Sequence, residues 1–167
     1  MFVPYNYLPY EFKNPSKIFI EWKKLIKTSE FTLGSYVKKF EKTFSKYIGV
    51  KYCISTNNGT DALILCLKSL GIKQGDEVIT ATNSFYATAG AISAVGAKPV
   101  LCDVDNRYQI DPKKITKLIN KKTKAIMPVH WGGASPEMNK IIKIAKKNKI
   151  NVIEDACMGI GAKINKK

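Results

Sequence analysis

The chain has 167 residues, enough for one ordinary domain with a core of its own and no need of disulfides or metals. Its composition is 45% hydrophobic and 10% aromatic, which excludes a disordered chain; no run approaches the roughly 18 apolar residues of a membrane span, and the first thirty residues lack the basic start and unbroken apolar run of a signal peptide. A net charge of +15 would suit a nucleic acid or an anionic membrane, but Arg107 is the only arginine and the lysines are dispersed, so the charge reads as solvated helix faces. A cytoplasmic protein that binds neither nucleic acid nor membrane is expected.

In chain order, Asn14 and Pro15 cap a first helix, with Ile18, Phe19, Trp22, Leu25 and Ile26 at helical spacing as far as about Ser29. After Gly34, the residues Val37, Phe40, Phe44, Tyr47 and Ile48 mark a second helix that stops at Gly49. Residues 1–50 thus form an N-terminal helical arm, and residues 51–167 change to short apolar strands alternating with helices. Strands are expected at 51–55, 77–80, 99–104, 124–129 and 151–154, and helices at 59–70, 86–95, 111–120 and 136–148. Five strands with intervening helices imply an α/β domain with a mostly parallel sheet covered on both sides. Such a sheet binds ligands outside the carboxyl ends of its strands, which selects residues 56–60, 81–85, 130–135 and 155–161.

Within those loops, Asn57, Asn58, Gly59 and Thr60 open a helix whose free N–H groups and dipole favour an anion, while the same residues also make an ordinary N-cap. Phe85 precedes a helix of small residues; its ring can stack on a flat heterocycle or pack into the core. Asp155 follows the apolar pair Val152 and Ile153 without a basic neighbour in sequence. Its carboxylate needs a partner, which a protonated ring nitrogen, a salt bridge or a helix cap would supply. A phosphate cradle and a strand-end carboxylate on one edge point to a phosphorylated, nitrogen-containing cofactor. Gly159, Ile160 and Gly161 form only a G-x-G. Cys53, Cys66, Cys102 and Cys157 lie on apolar segments without C-x-x-C spacing and read as small core residues, and His130, the lone histidine, reads as structural; no metal site is expected.

These residues, in this order, resemble the DegT/DnrJ/EryC1/StrS family of sugar aminotransferases. The similarity runs from about Phe31 to the chain end through NNGTDAL at 57–63, GDEVIT at 75–80, NSFYATAGAI at 83–92, VGAKPVLCDVD at 95–105, TKAIMPVHWGG at 123–133 and VIEDACMGIGA at 152–162. The resemblance implies part of the large domain of the type I aminotransferase fold, dependent on pyridoxal 5'-phosphate. It further implies that Gly59 and Thr60 hold the cofactor phosphate, Phe85 stacks on its ring and Asp155 pairs with its pyridinium nitrogen, keeping the ring an electron acceptor. A keto sugar on a nucleotide diphosphate, glutamate as amino donor and a homodimer are the implied partners. Two departures stand out. Met158 replaces a glutamine common in the family, and the family's Schiff-base lysine lies beyond a strand and loop not found here, so no lysine of this chain takes a catalytic role. The expected reading is therefore the N-terminal part of an aminotransferase, inactive alone. A dehydratase of the same family, with histidine at the lysine position, and a noncatalytic relative that keeps the cleft are the alternatives.

Overall fold

The computed structural model describes residues 6–164, which divide into two units, one ending at Ser55 and the other beginning at Thr56.

In the first unit a short helix α1, Leu8–Glu11, not expected from the sequence, precedes α2, Ser16–Thr28, and α3, Ser35–Ile48. Pro15 occupies the N-cap of α2 rather than its first turn, and no side chain caps that end. Ser29, in the left-handed conformation, closes it. The start of α3 is better furnished: the Glu30 carboxylate accepts from the Ser35 N–H at 3.1 Å and from the Ser35 hydroxyl. Gly34 is required there, because a Cβ would stand 2.6 Å from the Glu30 carbonyl oxygen. Tyr36 donates its hydroxyl proton to Glu21 Oε2 at 2.7 Å, joining α2 to α3. Neither helix contributes a buried residue; Trp22 is 58% and Phe40 54% exposed, so the apolar stripes that identify these helices lie open.

The expected strand at 51–55 does not form: these residues are paired with no strand. An extended segment becomes a strand only when a neighbour satisfies its N–H and C=O groups. The side-chain acceptor that this segment does find is Glu41 Oε1, 2.8 Å from the Ser55 N–H.

The second unit holds the sheet. Helix α4, Gly59–Ser69, leads to β1, Glu77–Ala81; α5, Tyr86–Ala94, to β2, Lys98–Cys102; α6, Pro112–Leu118, to β3, Thr123–Met127; and α7, Met138–Asn148, to β4, Asn151–Val152. The four strands are parallel in the order β2-β1-β3-β4. Pro99, which cannot donate to a ladder, lies in the edge strand β2.

Alternation along the strands feeds two cores. Val78, Ala125 and Met127 join Leu63 and Leu67 of α4 and Ala91 and Ile92 of α5 on one face. Ile79 and Ile126 join Ile115 of α6 and Ile141 and Ala145 of α7 on the other. The lysines of α7, at 140, 143, 146 and 147, are exposed opposite its buried stripe of Met138, Ile141 and Ala145. Of the four cysteines only Cys102 is buried; Cys53 is half-buried, and Cys66 and Cys157 are exposed. The expectation that all four are core residues thus fails at Cys66, on the outer side of α4, and at Cys157, in a strand-end loop. No described helix is long and apolar enough to cross a membrane.

Candidate functional site

Each loop singled out from the sequence contributes to one cavity of about 410 Å³ at the carboxyl edge of the sheet. Gly59 and Thr60, Ser84 and Phe85, Trp131, and Asp155 with Met158 all line it. Gly59, Thr60, Phe85 and Asp155, separated by up to 96 positions in sequence, are therefore brought together.

The floor at Gly59 is built by a cap. Asn58 Oδ1 accepts from the Asp61 N–H at 2.9 Å, and its Nδ2 donates to Asp61 Oδ2 at 3.0 Å. The N-cap interpretation of this segment is thus realised by Asn58. The N–H groups of Gly59 and Thr60, at the first two positions of α4, have no acceptor within the helix. A Cβ on Gly59 would meet nothing nearer than Cys157 Sγ at 4.0 Å, and no positive φ demands glycine. Neither packing nor backbone conformation therefore demands glycine here, and the helix end stays open to close approach.

Phe85 is the N-cap residue of α5, in extended conformation, with its ring 4.2 Å from that of Tyr86 and 61% exposed. It forms a wall of the cavity, not part of the core. Trp131, in a 3₁₀ turn, Trp131–Gly133, that the sequence reading did not anticipate, also lines the cavity.

Asp155 is held at its backbone and at its side chain. The β4 ladder continues past Val152: the Ile153 N–H donates to the Ile126 carbonyl at 3.0 Å and the Asp155 N–H to the Pro128 carbonyl at 2.9 Å. The Asp155 carbonyl in turn accepts from the His130 N–H at 3.0 Å. Its Oδ2 accepts from the Thr88 hydroxyl at 2.8 Å, and Ser84 Oγ lies 2.5 Å from that same hydroxyl. Of the partners open to Asp155 from its sequence, neither a salt bridge nor a helix cap is formed among the described residues.

One step behind the cavity, His130 is buried and its Nε2 lies 2.9 Å from Glu154 Oε2. The pair joins the loop that carries Trp131 to the strand end that carries Asp155. Gln109, also buried, donates from Nε2 to the Trp131 carbonyl at 2.9 Å. The sequence reading missed Thr88 and Gln109; Ser84 and Trp131 fell within the selected loops but were given no role of their own. The one available signal was local: Ser84 and Thr88 stand four residues apart at the start of a helix, where both can face one strand end.

The parallel sheet thus gathers a helix N-terminus, an aromatic ring and a fixed carboxylate around one cavity at its carboxyl edge. The sequence matches the DegT/DnrJ/EryC1/StrS aminotransferase family over residues 15–167, and the chain belongs to that family.

Among relatives, it is 46% identical over 145 residues to a dTDP-3-amino-3,6-dideoxy-alpha-D-galactopyranose transaminase of Aneurinibacillus thermoaerophilus, covering 86% of this chain and 40% of that protein. It is 45% identical over 138 residues to a 3-oxo-glucose-6-phosphate:glutamate aminotransferase of Bacillus subtilis, covering 82% of this chain and 31% of that protein. A crystal structure of a Bacillus subtilis protein with bound cofactor PMP superposes with a TM-score of 0.85 at 43% identity, over 86% of this chain and 33% of that one. The chain spans roughly a third to two fifths of the length of the curated relatives it matches. Pyridoxal phosphate is the cofactor that this membership carries, and the free helix terminus, the unforced glycine and the fixed carboxylate fit it.

Proposed function

We propose that this chain is the N-terminal part of the large domain of an aminotransferase that passes an amino group, from glutamate, to a keto sugar linked to a nucleotide diphosphate. The observation that carries the reading is the convergence of Gly59, Thr60, Phe85 and Asp155 on one cavity of about 410 Å³, within the usual range for a cofactor site.

In this reading the Gly59 and Thr60 N–H groups and the Thr60 hydroxyl hold the phosphate at the positive end of α4. Phe85 would cover a face of the ring, and Trp131 would help keep water out of the cavity it also lines. Asp155 pairs with the ring nitrogen and holds a proton there. Bound in this way, pyridoxal phosphate supplies an electron sink for the carbon that exchanges its amino group. The nucleophilic lysine belongs to a part of the family length that this chain does not span, and a homodimer completes the site. The substrate class rests on the similarity to the dTDP-sugar transaminase, while the Bacillus subtilis relative, named for an oxo-sugar phosphate, defines the competing substrate.

The test is an assay of the full-length protein with glutamate and either a nucleotide-linked keto sugar or a keto-sugar monophosphate, following the amino sugar by mass spectrometry. Product from the nucleotide-linked substrate is expected. Product from the monophosphate alone would overturn the substrate class, and no amino sugar from either would overturn the activity.

A further inference from the structure

Thr88 lies fully buried in the first turn of α5, facing the strand end that carries Asp155. An ionised carboxylate has acceptors only, and a threonine hydroxyl has a single proton. That proton goes to Asp155 Oδ2, at 2.8 Å, so the neighbouring Ser84 hydroxyl gives its own proton to Thr88. The two hydroxyls form a short relay directed at the carboxylate, each bond polarising the next. Meanwhile the backbone of Asp155 is pinned through the Pro128 carbonyl and the His130 N–H. Among the described residues no side chain donates to Oδ1.

We propose that Thr88 is a positioning residue: its hydroxyl, oriented by Ser84, fixes the Asp155 carboxylate with Oδ2 engaged and leaves Oδ1 to receive the N–H of a protonated nitrogen heterocycle in the cavity. The inference rests on the cofactor reading of Asp155 given above and adds the device that aims the carboxylate. A hydroxyl buried only for packing has different requirements. A side chain buried only to fill space loses more with serine, which leaves a methyl-sized void, than with valine, which keeps the shape.

The experiment uses the full-length protein and two probes, pyridoxamine 5'-phosphate and its analogue with carbon in place of the ring nitrogen; neither bonds covalently to a lysine. Calorimetric titration compares the unaltered protein with Thr88→Val and Thr88→Ser. The unaltered protein should bind the nitrogen ring more tightly than the carbon ring. Thr88→Val should weaken binding of the nitrogen ring on the order of tenfold, the size of one lost hydrogen bond to a charged group. It should leave the carbon analogue unaffected, and Thr88→Ser should restore the preference. Equal losses for both probes, no loss in Thr88→Val, or a serine variant weaker than the valine variant would overturn the positioning role while leaving the Asp155 assignment standing. If the unaltered protein binds both probes equally, the Asp155 assignment and this inference fall together. Should Thr88→Val not fold, Ser84→Ala reports on the same relay from the cavity wall: a smaller loss confined to the nitrogen ring supports it, and a loss shared by both probes overturns it.

Discussion

Gly159 stands so close to His130 that a Cβ on the glycine would lie 2.8 Å from His130 Cβ and 3.0 Å from its Nδ1. This contact presses the loop after β4 onto the residue that precedes Trp131. The backbone at Gly159 has no positive φ, so the demand for glycine there is one of space. Gly159→Ala is accordingly expected to destabilise the fold by about 1–3 kcal/mol, the usual range for overpacking a tight contact. Thermal unfolding of the full-length protein measures it, and an unchanged midpoint would mean that the loop is free to move away.

In the full-length protein, Asp155→Ala is expected to reduce transamination on the order of 10²–10³-fold, as loss of a fixed electrostatic partner does, with the fold retained. The fold should survive because the segment is held by backbone bonds to Pro128 and His130, which alanine keeps. Initial rates, read with circular dichroism on the same samples, separate the two effects. Near-normal turnover would remove the carboxylate from the chemistry.

In the full-length protein, Thr60→Ala should act on cofactor retention and leave the chemical step almost untouched if Thr60 anchors the phosphate, which does not join the reacting carbon. A lost hydrogen bond to a charged group corresponds to about 1.5–3 kcal/mol in cofactor affinity. Equilibrium titration with pyridoxal phosphate measures the change; an unaltered dissociation constant would move the phosphate away from the start of α4.

Much of this site was legible from the sequence, and the reasons differ from residue to residue. The rule that ligands gather at strand carboxyl ends needs only the alternation of apolar runs with helices, and that pattern is strong in β1 and β3, where the buried residues feed both faces. It was enough to select the loops at 56–60, 81–85, 130–135 and 155–161; helix-end, aromatic and carboxylate chemistry picked Gly59, Thr60, Phe85 and Asp155 within them, and the family resemblance alone implied their roles. Thr88 was hidden because its bond to Asp155 spans 67 positions, and a threonine among alanines looks like any small helix residue. Residues 51–55 have the composition of a strand, yet strand formation is a property of a pair and depends on a neighbour that local sequence does not name. Cys66 and Cys157 show the complementary limit: apolar neighbours in sequence do not tell which side of a helix or loop faces solvent.

Cys102 offers a pH-dependent observable. Burial, reinforced by the Asp111 and Asp103 carboxylates, pushes its thiol up to about 11 from an ordinary value of 9.0. Its folded pKa lies above its unfolded one, so the stabilisation is fully present below about pH 9 and is lost as the pH rises towards 11. At pH 8 the exposed Cys66 and Cys157 should alkylate first, with Cys102 protected until the protein unfolds. Peptide mass mapping after timed treatment with iodoacetamide follows each thiol, and early labelling of Cys102 would contradict its burial.

Residues 1–167 alone are expected to be catalytically inactive and to form no stoichiometric covalent adduct with pyridoxal phosphate. Covalent capture of the cofactor aldehyde requires an amine held over the cavity, desolvated enough to be partly neutral near pH 7. Among the described residues that line the cavity there is no lysine, although lysine makes up nearly all of the basic complement of the chain. Lys163, the nearest described lysine after the Asp155 loop, is exposed and does not line the cavity. Scattered surface lysines should react weakly and without saturation. Borohydride reduction of the cofactor-treated chain, followed by peptide mapping, distinguishes the two patterns. A single lysine modified to completion, together with turnover of an amino donor, would show that the nucleophile is already present in these residues and would overturn its assignment to a later part of the family length.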